Sequence, residues 1–378
     1  MTLKILAVDS ANRRQVRQFL DLPFRIYRQD AQWMSLWVPP LETDARRMLD
    51  QRRHPFYRDS QAAFFMAYRE GQPVGRIAVL NHYRYNEYNR ERTAFFYLFE
   101  CFPDEEASHS LFQAACSWAA ARQLTKIIGP KGFTVLDGMG LLARGFEHRP
   151  ALGQPYNPPY YLQLLEQEGF TPVSEVVSGY LDARQTFPEK IHQVSATVQQ
   201  RRGLHIACYT RRRDLLPLIP KLKELYNGVL AGTSGNYPLT DDEVKTMANQ
   251  ILWFSDPRLI KVIHKGDEPV GFLLAYPDIS AALQRCKGRL FPFGWIDCLR
   301  ELRRTQWINL NGAGILPQYR GLGGTAILFS EMYKSVAESR YRYADLVQIG
   351  AENDRMLREL RGLGVEFYKA HRVYQKVI

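Results

Sequence analysis

The stretch Pro317-Gln-Tyr-Arg-Gly-Leu-Gly-Gly-Thr-Ala-Ile-Leu-Phe329 decides the fold of this 378-residue chain. An apolar run, Trp307-Ile-Asn-Leu-Asn-Gly-Ala-Gly-Ile-Leu316, comes before it and reads as a strand. After it, Ala326, Ile327, Phe329, Met332, Tyr333, Val336 and Ala337 recur at three- and four-residue steps, which predicts a helix. Gly321, Gly323 and Gly324 leave main-chain N–H groups bare where that helix begins. Free amides and the positive end of the helix dipole can hold a diphosphate there, and Arg320 adds a permanent cation.

Three phosphate-binding designs could produce such a loop. A P-loop needs Gly-Lys-Ser/Thr, which is absent. Gly321-x-Gly323-x-x-Ala326 fits the dinucleotide fingerprint formally. That design usually opens its domain and closes the next strand with a carboxylate, whereas Asp345 falls at the next strand's start. The third design carries a resemblance. Ile315-Leu-Pro-x-Tyr-Arg-Gly-x-Gly, running into an apolar helix, resembles the coenzyme A loop of the GNAT superfamily of acyl-CoA N-acyltransferases. The signature Gln/Arg-x-x-Gly-x-Gly/Ala is met by Gln318-x-x-Gly321-x-Gly323, or by Arg320-x-x-Gly323-x-Thr325 with Thr at the last position.

The resemblance implies a site for a coenzyme A thioester, acetyl-CoA or longer, used as co-substrate without a metal. Its residues would be Ile315, Leu316, Gln318, Tyr319, Arg320, Gly321, Leu322, Gly323, Gly324, Thr325 and Asn353. Asn353 follows the strand Leu346-Val-Gln-Ile349 and starts a helix that closes on Gly364-Val365, where the superfamily has Gly-Phe. The superfamily often places a tyrosine seven residues after that Asn as acid for the leaving thiolate; here Leu360 stands there.

The chain contains the pattern twice. Glu70-Gly-Gln-Pro-Val-Gly75-Arg-Ile-Ala-Val-Leu80 and Lys265-Gly-Asp-Glu-Pro-Val-Gly271-Phe-Leu-Leu-Ala275 are near copies, and Gly75 and Gly271 are offset by 271 − 75 = 196. Asn157, in Tyr156-Asn-Pro-Pro-Tyr160-Tyr161, and Asn353 repeat the same spacing of 196. Two matches at one offset argue for duplication. In the first copy Phe102-Pro-Asp-Glu-Glu106 stands where the second has its glycines, and those carboxylates would repel a diphosphate. The expected fold is therefore α/β (α+β): two tandem GNAT-like domains, each a mixed, mostly antiparallel twisted sheet flanked by helices. The expected division is residues 1–185 without a coenzyme site, a linker helix over 186–203, and 204–378 with the acyl-CoA site. The whole chain also resembles bacterial two-domain GNAT-like proteins. The shared segments are Pro155–Tyr161, Pro277-Asp-x-x-x-Ala-Leu283 and His371-Arg-x-Tyr-x-Lys376.

Composition narrows the class further. At 46% hydrophobic residues the chain can bury two cores, and no apolar run reaches the length that spans a bilayer. No secretory leader is visible, and five scattered cysteines read as reduced thiols of a cytoplasmic protein, peripheral at a membrane at most. No Cys/His cluster has zinc spacing. A net charge of +11 lacks any nucleic-acid-binding signature beside it. It suits an anionic coenzyme, an acidic acyl carrier protein or an anionic membrane surface.

Acyl transfer to an amine needs a deprotonated amine, a polarised thioester carbonyl and a protonated leaving sulfur. Free alkylamines titrate near 10.4, so a base or a desolvating pocket is required. An amide between Gly314 and Leu316 could meet the developing oxyanion, a contribution of roughly 3 kcal/mol. Candidate bases are Glu352, Asp278 and His371, with Tyr374 as a spare proton donor. Each has a plain structural alternative as cap, turn or strand residue. Two long loops, Gly129–Tyr161 and Tyr226–Asp241, would grip the acceptor through Tyr156, Asn157, Tyr160, Tyr161, Asn236 and Tyr237. The expected activity is N-acyl transfer to a primary amine, lipid-like given the aromatic content. The competing expectation is an acyl-CoA-binding sensor that keeps the fold without catalysis.

Overall fold

The computed structural model describes residues 2–135, 137–185, 187–231 and 235–378, with the backbone alone for 250–254. Leu136 and residues 232–234, from the two expected acceptor loops, and Thr186, from the expected linker, therefore lie outside it. The first half runs β1 (Leu3–Ala7), α1 (Arg13–Tyr27), α2 (Ala31–Leu36), α3 (Glu42–Leu49), β2 (Gln61–Arg69), β3 (Gln72–Asn81), α4 (Tyr83–Asn89) and β4 (Thr93–Cys101). It continues through α5 (Glu105–Ala120), β5 (Lys126–Gly129), β6 (Leu141–Arg144), α6 (Tyr160–Gln167) and β7 (Thr171–Asp182). Helix α7 (Glu189–Arg202) leads into β8 (Leu204–Ala207), α8 (Ile219–Leu230), α9 (Asp241–Phe254), β9 (Ile260–Lys265) and β10 (Glu268–Pro277). The chain ends with α10 (Ser280–Cys286), α11 (Gly294–Arg304), β11 (Trp307–Ile315), α12 (Gly324–Ala337), β12 (Tyr343–Gly350), α13 (Asp354–Gly362) and β13 (Glu366–Val377).

The strands form one mixed sheet in the order β1-β2-β3-β4-β5-β13-β7-β12-β11-β10-β9-β8, with β6 paired to β13. The two halves exchange their last strands. β13 lies antiparallel to β5 of the first half, and β7 lies antiparallel to β12 of the second. β7 and β13 then pair with each other along nearly their full length, from Glu366↔Tyr180 to Gln375↔Thr171. The exchange turns two sheets into one, whose path ends at β1 and β8.

Duplication is visible in the backbone. β4 and β11 are equal in length, and each carries a bulge whose residue has positive φ: Leu98 at 52° and Gly312 at 115°. These two positions are offset by 312 − 98 = 214, as are the strand starts Thr93 and Trp307. One apolar core gathers α5, α6 and strands β3–β5 around Phe96, Leu111, Phe112 and Leu165. The other gathers α7 and α12 against β9–β12 around Ile263, Ile308, Ile327 and Met332.

Candidate functional site: the splay between β11 and β12

β11 and β12 are parallel and paired only from Trp307↔Tyr343 to Leu310↔Leu346. Beyond that point β11 follows β10 to Ile315, while β12 follows β7 to Gly350. A bulge sits where each strand turns away. On β11 the register with β10 shifts around Asn311–Gly312, and on β12 the register with β7 shifts around Val347–Gln348, with Gln348 at φ 55°. A bulge bends and twists its strand locally, so two of them open a V whose inner edges carry main-chain groups without a ladder partner. Gly312 and Ala313, at its mouth, are exposed.

Strand parity says which amide faces that opening. Leu316 donates its N–H to the Val270 carbonyl at 2.9 Å, so the 316–270 and 314–272 pairs are the hydrogen-bonded ones. Ile315, opposite Gly271 in the intervening pair, therefore points its N–H away from β10 and toward β12. Of the three amides expected to meet an oxyanion, Leu316 is committed, and Ile315 has the geometry for it.

The loop that follows keeps its donors free. Tyr319 and Arg320 bond back to Leu316 and Pro317 in a short helical turn. From Gly321 through Thr325, five successive amides have no main-chain acceptor among the described residues, and α12 begins at Gly324 without a side-chain cap. Four orphan N–H groups at a helix start, with the dipole's positive end behind them, have the chemistry to hold an anion. Gly321 and Gly323 adopt φ 75° and 87°, a region other side chains rarely enter. A Cβ on Gly321 would meet nothing within 4 Å, whereas one on Gly323 would stand 2.6 Å from Val198 Cγ2 of α7. The Arg320 guanidinium is turned back onto the Ile315 carbonyl (3.0 Å) and the Val229 carbonyl of α8 (2.8 Å). It ties the loop to the strand end and to α8. Gln318 is exposed, while Leu316, Tyr319 and Leu322 rest against the second core. Asn353 caps α13, its side chain accepting from the Met356 amide at 3.2 Å.

The first half is built differently at the same place. Asp104 caps α5, accepting from the Ala107 amide at 3.0 Å, and Arg69 bridges Asp104 and Glu106 at 2.8 Å each. The Arg69 hydrogen bond holds the Asp104 carboxyl below its usual range. Strands β4 and β5 are parallel and paired only from Thr93↔Lys126 to Phe95↔Ile128; β5 stops at Gly129 while β4 runs on to Cys101, and the V this leaves is filled from within. Cys101 donates its amide to the Tyr161 hydroxyl at 3.0 Å, that hydroxyl donates to Glu100 at 2.7 Å, and Tyr160 donates to the Cys101 carbonyl at 2.6 Å.

The remaining residues singled out in the sequence lie in separate surroundings. Tyr160 and Tyr161 pack in the first-half V just described, and Tyr156 donates to the Phe146 carbonyl and packs near Tyr27. Asn157 is buried and braces the first-half loop through both directions of a Leu142 main-chain pairing. Tyr237 packs on His82 and Tyr85 of the first half, with the neighbouring Asn236 carbonyl accepting from Asn89. Among the catalytic candidates, Glu352 is exposed just past β12, and Tyr374 is buried in the first core. His371 is 1% exposed, its Nε2 lies 3.0 Å from the Pro155 carbonyl, and burial lowers its pKa to about 4. Asp278 accepts from the Ser280 amide and hydroxyl and from Asn309, with Arg149 at 3.7 Å. The structure does not bring these four side chains to one point.

A polar ladder lies on the sheet beneath the V, and of its members only Asp278 was a candidate from the sequence. Asn311 donates to the Tyr276 hydroxyl (3.2 Å), Asn309 to Asp278 (3.0 Å), and buried Lys369 to Asp345 (2.7 Å). Gln348 Nε2, Asn309 Oδ1 and Asp345 Oδ1 are buried without a partner. The available signal was a polar residue inside an apolar strand pattern, as with Gln348 between Val347 and Ile349. A separate cleft of about 60 Å³, bounded by Phe56, His82, Arg84 and Glu243, lies where α9 meets the first half and shares none of these residues.

No family model matches the chain. It is similar to Protein YghO of Escherichia coli strain K12, at 26% identity over 374 residues, covering 97% of this chain and 94% of that protein. It is similar at 25% identity over 377 residues to a bacterial ceramide synthase of Caulobacter vibrioides, covering 96% and 95%. Among solved structures it matches a tandem GNAT protein from the clavulanic acid biosynthesis pathway with a TM-score of 0.55 at 11% identity, covering 100% of this chain and 98% of the other. With a bulged strand that runs on past its parallel partner in each half, and with that match running end to end, the chain has the tandem GCN5-related N-acetyltransferase (GNAT) fold.

Proposed function

We propose that this protein is an N-acyltransferase that takes an acyl group from a coenzyme A thioester and transfers it to a primary amine. One observation carries the reading: the bare Ile315 amide and the five bare amides of Gly321–Thr325 follow one another along a single strand–loop–helix unit. A diphosphate held by the loop would lay its thioester arm along the V, with the carbonyl oxygen at the Ile315 N–H. The amine attacks the carbonyl carbon, the carbon–sulfur bond breaks, the sulfur takes a proton, and the amine gives one up. Glu352, exposed past the end of β12, is the candidate to accept the amine's proton. A thiol titrates near 8.5, so the departing thiolate can take its proton from water without a dedicated acid.

A relative of equal length named as a ceramide synthase supports a lipid-like amine as acceptor and a fatty acyl group as cargo, since a ceramide is a fatty amide of a long-chain base. The donor would then be a long acyl-CoA or an acyl carrier protein. Titration calorimetry with coenzyme A, acetyl-CoA and a long-chain acyl-CoA tests the reading. Micromolar binding by the wild type, weakened tenfold or more in Gly321→Asp, is expected. Asp enters the left-handed region more readily than most residues and meets open space at that position, so the variant adds charge without crowding. No binding at millimolar ligand overturns the proposal.

Leu360 favours a second reading. It stands where the superfamily often keeps its acid, and it is 1% exposed inside the second core, so it offers no proton. A binding protein without turnover would show the calorimetric signal yet release no thiol from acyl-CoA in the presence of long-chain amines.

A further inference from the structure

One connection is much longer in the second half than in the first. β3 ends at Asn81 and β4 begins at Thr93, but β10 ends at Pro277 and β11 begins only at Trp307. The opening parts match, since α10 follows β10 much as α4 follows β3. The extra length is Lys287–Arg304, a loop followed by α11. Its base is anchored to the first half. Gln284 donates to the Ser35 and Trp37 carbonyls at 2.7 and 3.0 Å, the Gly288 carbonyl accepts from the Glu42 amide at 2.9 Å, and Arg289 meets Glu42 at 3.1 Å. Cys298 and Leu302, one turn apart, face inward onto Val38 and Leu41.

The tip is apolar and open to solvent. Phe291 is 78% exposed, Phe293 73%, Trp295 43% and Leu299 42%. Phe291 and Phe293 are the two most exposed aromatic side chains in the described molecule. Trp295 and Leu299 form a second apolar stripe on α11 beside the inward one. The next positions round the helix are Arg303, Arg300 and Arg304. Those three arginines and Lys287 are exposed and have no carboxylate within ion-pair distance among the described residues. Aromatic side chains projecting beyond a ring of unpaired cations match the two layers of a lipid interface, apolar acyl tails under anionic headgroups.

We infer that the Lys287–Arg304 insertion docks the protein onto an anionic lipid bilayer, Phe291, Phe293 and Trp295 entering the interface while Arg300, Arg303 and Arg304 meet the headgroups. Lipid is the occupant the observations favour over an acidic protein. The cations beside the exposed aromatic side chains complement acidic headgroups, and a bilayer takes in separate apolar side chains without needing a surface shaped to match them. The inference does not depend on the proposed acyltransferase activity.

Sedimentation of the full chain tests it, with vesicles of phosphatidylcholine alone and of phosphatidylcholine mixed with phosphatidylglycerol. Wild type should pellet with the anionic vesicles and remain largely free of the neutral ones. The double variant Phe291→Ser/Phe293→Ser should lose at least fivefold in partitioning at any salt. The triple variant Arg300→Gln/Arg303→Gln/Arg304→Gln should lose the dependence on anionic lipid. All of these side chains are solvent-exposed, so unchanged circular dichroism is expected. Equal partitioning of wild type and both variants overturns the inference. So does wild type that ignores vesicles but is held, through the same arginines, by an acidic protein.

Discussion

Cys101 and Ile315 end equivalent strands of the two halves, and their amides differ in one respect: Cys101 donates to the Tyr161 hydroxyl at 3.0 Å, while Ile315 faces an opening. The first half has closed its own V with a side chain. Tyr161 is 1% exposed and bonded in two directions, to Cys101 and Glu100. Tyr161→Phe should therefore cost about 1–3 kcal/mol, because it strips one partner each from a buried N–H and a buried carboxyl. Urea denaturation measures the loss. Coenzyme affinity by calorimetry should stay within twofold, and a large drop would place Tyr161 in ligand binding after all.

Lys369 and Asp345 fasten the exchanged strands. They lie on β13 and β12, either side of β7, 2.7 Å apart, with side chains 1% and 4% exposed. Burial pushes the lysine down and the aspartate up, and each opposes the other's shift. Removing one partner strands a buried charge, so Lys369→Met should destabilise by about 3–5 kcal/mol. Lys369→Met/Asp345→Leu should cost much less than the sum of the single variants. Strict additivity in a denaturant-based double-mutant cycle would show that the two charges do not depend on each other.

The strand–loop–helix unit at 307–337 was legible because its signals are local: period-two apolarity, glycines at a helix start and a three-to-four residue repeat. The duplication was legible because turn residues such as Gly75 and Gly271 are fixed by backbone geometry and keep their spacing. Strand exchange was not legible. β7 and β13 have similar lengths and patterns, and which half each joins depends on contacts between distant parts of the sequence, such as Tyr180 with Glu366. The same blindness hid the surroundings of Tyr160 and Tyr161, expected to grip the acceptor: their hydrogen bonds go to Cys101 and Glu100, about sixty residues earlier in the chain. The polar ladder of Asn309, Asp345 and Lys369 was hidden because it is assembled across strands, and no single strand shows more than one of its charged members.

His371 gives the fold an acid-sensitive component. Its folded value of about 4 lies below the unfolded value of about 6.5, so between those pH values the unfolded chain binds the extra proton. Stability should fall as pH drops from 6.5 toward 4, by up to about 1.4 kcal/mol per pH unit for this residue. His54 and His82, both pushed down by burial, add in the same direction. His371→Gln can still donate to the Pro155 carbonyl but does not titrate. Its stability measured at pH 7 and pH 5 should therefore show a shallower acid slope than wild type. Parallel slopes would mean that His371 is reached by protons in the folded state.

The two left-handed glycines of the loop before α12 should separate in a stability experiment. Gly321→Ala faces only the strain of a left-handed backbone, about 1–2 kcal/mol, because no atom lies within 4 Å of the new methyl. Gly323→Ala faces that strain and a methyl 2.6 Å from Val198 Cγ2, where overpacking adds about 1–3 kcal/mol. α7 would have to move off the loop, and that helix packs against α12 along the second core. Val198→Ala removes the offending carbon, so Gly323→Ala/Val198→Ala should recover part of the loss relative to Gly323→Ala alone. The comparison isolates packing from backbone strain, since only packing responds to residue 198. If Gly321→Ala and Gly323→Ala melt together and Val198→Ala relieves neither, α7 does not press on the start of α12.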